Sequence, residues 1–281
     1  MSADIFPVIA EYWKLDGGSC FGVVPKSIWT KFIIPDENNM IPIASRCLLV
    51  KSNGKIILFD VGMGNKEDEK YYSHFYLHGN ENFLDNLRKI DILPEDITDI
   101  VFTHLHWDHV GGATFKNENG EIKLVFPNAN YWCSESGWKW ANNPNPREAK
   151  AFFQDDLQPL INSGKLNMIS ESGMFNSDIE LFIVNGHTEG VIIPIIKTIS
   201  GFVAFTSDFI PSLAHIPLAY IPSQDIRPLV SMEEKEMFLN RAVENDFTLL
   251  FLHDVDNECC KLEKTLKGIR PKESFKWENK I

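Results

Sequence analysis

The sequence predicts a mixed α/β fold in which β-strands alternate with helices. Three observations support this fold class. Apolar strand-like runs alternate with segments of helical spacing, several of these runs end in a His or an Asp, and no repeat or low-complexity linker interrupts the 281 residues. Hydrophobic residues make up 44% and aromatic residues 12% of the chain, enough for a sizeable core. We expect a single domain over residues 1–281.

The first elements are strands, predicted within residues 8–24 and 41–61. In the second range Asn53-Gly54 separates two apolar runs, which is a strong signal for a β-hairpin. Its second strand ends at Asp60, followed by Val-Gly-Met-Gly. Asp60 is either part of a tight turn alone or a carboxylate that orients a metal-bound histidine, and the residues leave both readings open.

The rest of the chain continues the alternation of strands and helices. Residues 65–80 lack a clear period and predict a mobile segment beside the site. Pro146 is typical of a first helical position, and Ser231 with Glu234 forms a capping-box pattern. The other predicted elements are a helix at 81–92, strands at 97–102, 122–126 and 129–133, helices at 134–142 and 146–162, strands at 179–184 and 202–206, a helix from Ser231 to about Asn245, and a strand from Phe247.

Four side chains of metal-ligand type follow the strand at 97–102, in the run His-Leu-His-Trp-Asp-His. His104 and His106 converge because alternate side chains of an extended backbone point the same way. Asp108 and His109 lie beyond the strand end and can face a second point nearby, and Gly111-Gly112 predicts a turn into a helix. Imidazole and carboxylate are ligands of zinc and similar divalent ions. Three histidines in six positions make a metal site a better interpretation than a polar strand cap.

Three later strand ends carry the same kinds of residue. His187 lies in the turn Asn185-Gly-His-Thr-Glu-Gly, Asp208 follows the strand at 202–206, and His253 ends the strand that begins at Phe247. Each signal is weak alone. Strand ends of a layered sheet share one rim, so their recurrence predicts a common site.

The net charge and the cysteine content of the chain indicate which partners and which cellular compartment to expect. The formal net charge of −12 disfavours a nucleic-acid substrate, because nucleic-acid binding needs a basic face. Five scattered cysteines without a C-x-x-C pair favour reduced thiols and a cytoplasmic protein. The N-terminus resembles no signal peptide, and no apolar run reaches 18 residues, so we expect no membrane contact. The expected partner is a small-molecule substrate, with assembly as a homodimer left open.

In this order, Asp60-x-Gly, the run from His104 to His109, Gly186-His187-Thr188, Asp208 and His253 resemble the metallo-β-lactamase superfamily, and the resemblance covers most of the chain. It implies an αββα sandwich of two mixed β-sheets flanked by helices. It also implies two divalent metal ions, with zinc expected and iron, manganese or cobalt as alternatives. The implied arrangement is His104, His106 and His187 around one ion, Asp108, His109 and His253 around the second, Asp208 as a bridge and Asp60 behind the ligands.

Within that superfamily, residues 208–220 and 232–236 are most similar to N-acyl homoserine lactonases and related phosphotriesterases, although Pro211 stands where some lactonases carry a Tyr. The resemblance implies a quorum-quenching lactonase that opens lactones through a hydroxide held by both metals, with Asp108 and Asp208 as catalytic carboxylates. His215 and Tyr220 are candidate substrate contacts or ordinary loop packing. The alternatives are a phosphotriesterase or aryl esterase on the same site, an RNA-processing nuclease, and a metal protein without hydrolytic activity.

Overall fold

The computed structural model describes residues 2–277 and has two large β-sheets stacked face to face and a separate two-stranded sheet. The strands, in chain order, are β1 (Asp4–Asp16), β2 (Met40–Ser52), β3 (Lys55–Phe59), β4 (Asp99–Val101), β5 (Thr114–Lys116), β6 (Ile122–Leu124), β7 (Asn130–Ser134), β8 (Leu166–Ile169), β9 (Gly173–Asn176), β10 (Ile179–Val184), β11 (Val191–Thr198), β12 (Gly201–Phe205), β13 (Thr248–Leu250), β14 (Cys259–Thr265) and β15 (Gly268–Phe275).

Helices lie outside the sheets. They are α1 (Gly17–Phe21), α2 (Lys26–Trp29), α3 (Glu69–Ser73), α4 (Phe83–Arg88), α5 (Trp107–Val110), α6 (Glu135–Ala141), α7 (Gln154–Asn162) and α8 (Pro228–Glu244), together with short 3₁₀ turns. Among residues 2–277, no helix is both long and apolar enough to cross a membrane.

Both large sheets are mixed, as the family resemblance implies. The first runs β1-β2-β3-β4-β7-β8, antiparallel as far as β3 and parallel from β3 to β8. The second runs β15-β14-β13-β12-β11-β10-β9 and is antiparallel except for the β12–β13 pair. The two-residue hairpin between β2 and β3 is confirmed, since Asn53 and Gly54 both have the positive φ that a tight hairpin turn requires.

Three apolar layers hold the sandwich together. The inner faces of the two sheets meet through side chains such as Leu48 and Phe59 from the first and Ile192, Phe205 and Leu250 from the second. The outer face of the first sheet packs on α4, α6 and α7, and that of the second packs on α8. The mixed αββα architecture is therefore confirmed, and it brings the ends of β4, β10, β12 and β13 towards one rim.

Several helix boundaries differ from the predictions. The helix of the histidine run begins at Trp107, ahead of the glycine pair rather than after it. Residues 146–162 are not one helix, because a 3₁₀ turn and an extended stretch precede the start of α7 at Gln154. Ser231 is not an N-cap: α8 begins three residues earlier at Pro228. The segment 65–80 contains α3, and its aromatic side chains pack beside Trp107.

Candidate metal centre

Seven side chains with metal-ligand chemistry meet where the two sheets share an edge. Four come from the stretch after β4, and the others follow β10, β12 and β13. Within each of two groups, the nitrogen and oxygen atoms that could bind a metal lie within 4.8 Å of one another. The groups are His104, His106, His187 and Asp208, and Asp108, His109 and His253.

Asp208 lies between the two groups and faces both. Its Oδ1 is 2.8 Å from His253 Nε2 and 3.4 Å from His109 Nε2. Its Oδ2 is 3.3 Å from His187 Nε2 and 3.9 Å from His104 Nε2. A carboxylate with one oxygen towards each group has the position of a bridging ligand.

The histidines of the second group are anchored on the side away from the cluster. His109 Nδ1 is 2.9 Å from Asp60 Oδ2, and Asp60 also accepts hydrogen bonds from the backbone N–H and hydroxyl of Thr103. Asp60 is buried and has a φ of 58°, an uncommon conformation for a residue other than glycine. His253 Nδ1 is 2.8 Å from the carbonyl oxygen of Ala44. These contacts orient each Nε2 towards the cluster.

Two carboxylates that the sequence reasoning missed anchor the first group. Glu148 Oε1 is 2.8 Å from His106 Nε2, and Asp225 Oδ1 is 2.9 Å from His187 Nδ1. Both carboxylates are buried. Neither follows a strand, so strand-end reasoning has no signal for them.

The chemistry of the cluster fits two divalent cations. His109 Nε2 and Asp208 Oδ1 are buried without a hydrogen bond, although acceptors and donors lie close by. Burial lowers the pKa of His104 well below its ordinary value, which leaves a neutral imidazole able to bind a metal. Burial acts the same way on His109, but Asp108, Asp208 and Asp60 raise its pKa well above the ordinary value. The carboxylates thus give the cluster excess negative charge, which bound metal ions would neutralise.

Neither of the two candidate substrate contacts belongs to the two ligand groups. His215 lines the cavity described below, yet its Nδ1 is 2.7 Å from Ser212 Oγ and its Nε2 is 2.9 Å from the Cys20 carbonyl oxygen. Both ring nitrogens are therefore engaged within the protein. Tyr220 packs edge-on against Phe32 and is not among the residues that line the cavity.

A cavity of about 510 Å³ opens onto the cluster. His106, Asp108, His187, Asp208 and His253 form part of its wall. The rest of the wall includes mostly apolar side chains from β1, the 32–43 segment, α5 and residue 75, among them Trp13, Leu15, Phe32, Ile43, Phe75 and Trp107. Its size is that of a pocket for a small organic molecule.

The sequence profile described as the metallo-beta-lactamase superfamily matches residues 40–251. The chain belongs to the metallo-beta-lactamase superfamily. The match spans β2 to β13 and so includes six of the seven ligand-type residues, with His253 two residues beyond its end.

Solved structures similar to this superfamily member include hydrolases. A probable metal-dependent hydrolase from Staphylococcus aureus is 25% identical, with a TM-score of 0.89 over 100% of this chain and 99% of that one. AidC, a dizinc quorum-quenching lactonase in complex with a product N-hexanoyl-L-homoserine, is 23% identical, with a TM-score of 0.77 over 98% of this chain and 95% of that one. The second likeness shows the fold alone.

A curated relative matches a shorter part of the chain. The cleavage and polyadenylation specificity factor subunit 3-II of Arabidopsis thaliana is 34% identical over 90 residues. The match covers 30% of this superfamily member and 13% of the relative. The chain therefore spans only a small part of that relative's length.

Proposed function

We propose that this metal-dependent hydrolase of the metallo-beta-lactamase superfamily opens lactones, with N-acyl homoserine lactones as the preferred class. The observation that carries the proposal is the cavity, which joins the ligand cluster to a wall of apolar side chains. A lactone ring would lie at the cluster and an acyl chain along the apolar wall, where burial of its surface supplies binding free energy. The lactonase with a similar fold supports the same class.

The two groups of ligand-type residues are suited to two metal ions, and zinc is the metal expected at both positions. When bound, such ions supply Lewis acidity and lower the pKa of coordinated solvent towards neutrality. Asp208 has both oxygens engaged between the two groups. Asp108 faces His109 and His253 through Oδ2, at 3.6 and 3.8 Å, which leaves its Oδ1 to accept the proton of an attacking water.

A nuclease is the second candidate, because the Arabidopsis relative belongs to an RNA-processing factor by name. Phosphodiester substrates need cationic groups along the backbone path. Over residues 2–277, Arg147 is the one Lys or Arg side chain that lines the cavity, beside the acidic Glu148. This charge arrangement favours an uncharged substrate.

One kinetic panel separates the candidates. Metal-loaded protein is assayed with N-acyl homoserine lactones of increasing chain length, aryl esters, a paraoxon-type phosphotriester, a glutathione thioester and a bis-phosphodiester. We expect the lactones to have the highest kcat/KM, rising with chain length. The proposal is wrong if the thioester or phosphodiester is preferred about a hundredfold, roughly 2.7 kcal/mol in transition-state stabilisation.

A further inference from the structure

Arg46 is a buried cation on β2 that reaches from the first sheet to the segment after β13 of the second. Only 1% of its surface is exposed. Its Nη1 donates to the carbonyl oxygen of Phe251 at 2.7 Å and to that of Asp254 at 2.8 Å. Along the chain these two carbonyls flank His253, one of the seven ligand-type residues. A single nitrogen of Arg46 therefore holds the backbone on both sides of a candidate metal ligand.

The backbone of β2 contacts the same segment at further points. The Arg46 N–H donates to the Leu252 carbonyl oxygen at 3.1 Å, and the Ala44 N–H donates to the His253 carbonyl oxygen at 3.3 Å. The Ala44 carbonyl oxygen is 2.8 Å from His253 Nδ1. Ala44 and Arg46 together thus contact each residue from 251 to 254. Since β13 has already ended, a strand of the other sheet supports this part of the chain.

Stability alone does not explain a guanidinium at this position. Glu258 Oε1 is 4.0 Å from Arg46 Nη2, and Arg46 Nε is buried without a hydrogen bond. A buried charge that is only partly paired loses more hydration than such contacts return, so an apolar side chain of similar size would often be no less stable. An apolar side chain could not, however, hold the two carbonyl oxygens beside His253.

We propose that Arg46 is a positioning residue for His253. By fixing the carbonyl groups on both sides of His253, it keeps the His253 ring facing Asp108 and His109 and so sets the affinity for the ion that this group would hold. Groups behind a metal ligand act on metal affinity in this way. The inference goes beyond the proposed lactone-opening function, because it concerns metal retention and holds for any substrate.

The test measures zinc retention rather than turnover. Zinc-loaded full-length protein is equilibrated with graded chelator, and the zinc retained per chain gives an apparent Kd for each ion. Arg46→Met removes the donor but keeps a long unbranched side chain. One ion should then bind at least about tenfold more weakly, while the Kd of the other stays within about threefold of wild type.

Far-UV circular dichroism of the same samples shows whether each variant is folded. Arg46→Lys keeps the positive charge on a shorter chain, so its amine reaches the two carbonyl oxygens less well. It should weaken the same ion to a smaller extent, and it takes the place of Arg46→Met if that variant does not fold.

A second background separates positioning from general structural support. If Arg46 acts through His253, adding Arg46→Met to His253→Asn should not weaken the remaining ion further. Arg241→Met is the control, because Arg241 also donates two hydrogen bonds, to the Glu180 carboxylate at 2.9 and 2.6 Å. It should retain both ions as tightly as wild type.

Three results would overturn the assignment of Arg46. They are wild-type retention of both ions by the Arg46 variants, equal weakening of both ions, and further zinc loss when Arg46→Met is added to His253→Asn. None of them bears on the lactone-opening proposal, which the kinetic panel tests. Failure of that panel would equally leave Arg46 assigned, because zinc retention is measured without substrate.

Discussion

Each anchored imidazole of the metal centre uses one ring nitrogen for the cluster and the other for a partner inside the protein. Asp60, Asp225 and the carbonyl of Ala44 lie 49, 38 and 209 residues from the histidines they hold. Such contacts fix the tautomer and raise the basicity of the ligand nitrogen. The ring orientations therefore depend on groups from both halves of the chain.

Replacement of Asp208 tests the bridging assignment. Asp208→Ala removes the carboxylate that faces both groups, so we expect kcat/KM to fall by more than about a hundredfold with loss of bound metal. Far-UV circular dichroism should stay close to wild type because the side chain lies at the rim. Activity is measured beside elemental analysis of the same sample. Wild-type activity in a metal-depleted variant would place the active site elsewhere.

Glu11 predicts a pH dependence of stability. Burial is the largest influence on its carboxyl group and raises the pKa from 4.5 to about 7. Its contribution to stability is therefore fully present below pH 4.5 and is lost as pH rises through 7. Glu11→Gln keeps an oxygen to accept the hydrogen bond from the Met63 N–H. In chelator-treated protein we expect Glu11→Gln to match wild type near pH 4.5 and to exceed it at pH 8 by on the order of 1–3 kcal/mol.

Urea denaturation at the two pH values measures this difference. A constant gap between the variant and wild type across the range would mean that Glu11 does not change its protonation between them.

At this scale the sequence predicted the residues that follow strands. His104, His187 and Asp208 could be found because an apolar run immediately precedes each site segment. Asp225 and Glu148 could not, because they lie in irregular segments and reach the histidines only through the tertiary fold. His215 and Tyr220 had only their place in a family-like stretch, which carries no information on side-chain contacts.

Among the elements, one turn of α8 organises three loops of the site. Ser231 donates to Asp225, and the Glu234 carboxylate accepts hydrogen bonds from the backbone N–H groups of Asn185 and Gly186. Lys235 Nζ donates to three carbonyl oxygens between residues 215 and 220. The Ser-x-x-Glu pattern predicts a capping box at Ser231. The predicted start of α8 is wrong for this reason. Both side chains serve tertiary contacts that sequence spacing does not reveal.

The turn after α5 predicts the effect of a single methyl group. A Cβ added at Gly112 would lie 2.1 Å from the Val61 carbonyl oxygen, a backbone atom that cannot easily move. We expect Gly112→Ala to lower the free energy of unfolding by roughly 1–3 kcal/mol, as overpacking does. Gly173→Ala is the control, because nothing lies within 4 Å of its added Cβ. Urea midpoints of the two variants in chelator are compared, and equal midpoints would contradict the close approach.

Across the whole molecule, the cluster joins the two sheets. His104, His106, Asp108 and His109 follow a strand of the first sheet, while the other three ligands follow strands of the second. The order of apolar runs and their polar ends was enough to predict a mixed α/β fold, and the family resemblance added the αββα layering. It was not enough to predict the late strands β14 and β15, whose sequence is largely polar and half exposed.

The two-group arrangement predicts the metal content. Protein purified without chelator should contain roughly two ions per chain, as two-metal hydrolytic sites do. Removal of the ions should lower Tm, because a ligand that binds only the folded state stabilises it. Elemental analysis and thermal unfolding before and after chelation measure both effects. A value of one ion per chain that added metal does not change would exclude a two-metal centre.

His253 is the last of the seven ligand-type residues to be translated. The four ligands after β4 are translated early, whereas His253 follows β13, and its ring is held by a carbonyl of β2. A growing chain therefore carries an unfinished, carboxylate-rich cluster until residue 253 has left the ribosome and the second sheet has docked on the first. If the centre holds two ions, capture of the second is then expected late in biogenesis. Nascent chains that stall earlier would lack the complete centre. Only chains translated beyond residue 253 would then bind the full complement of metal.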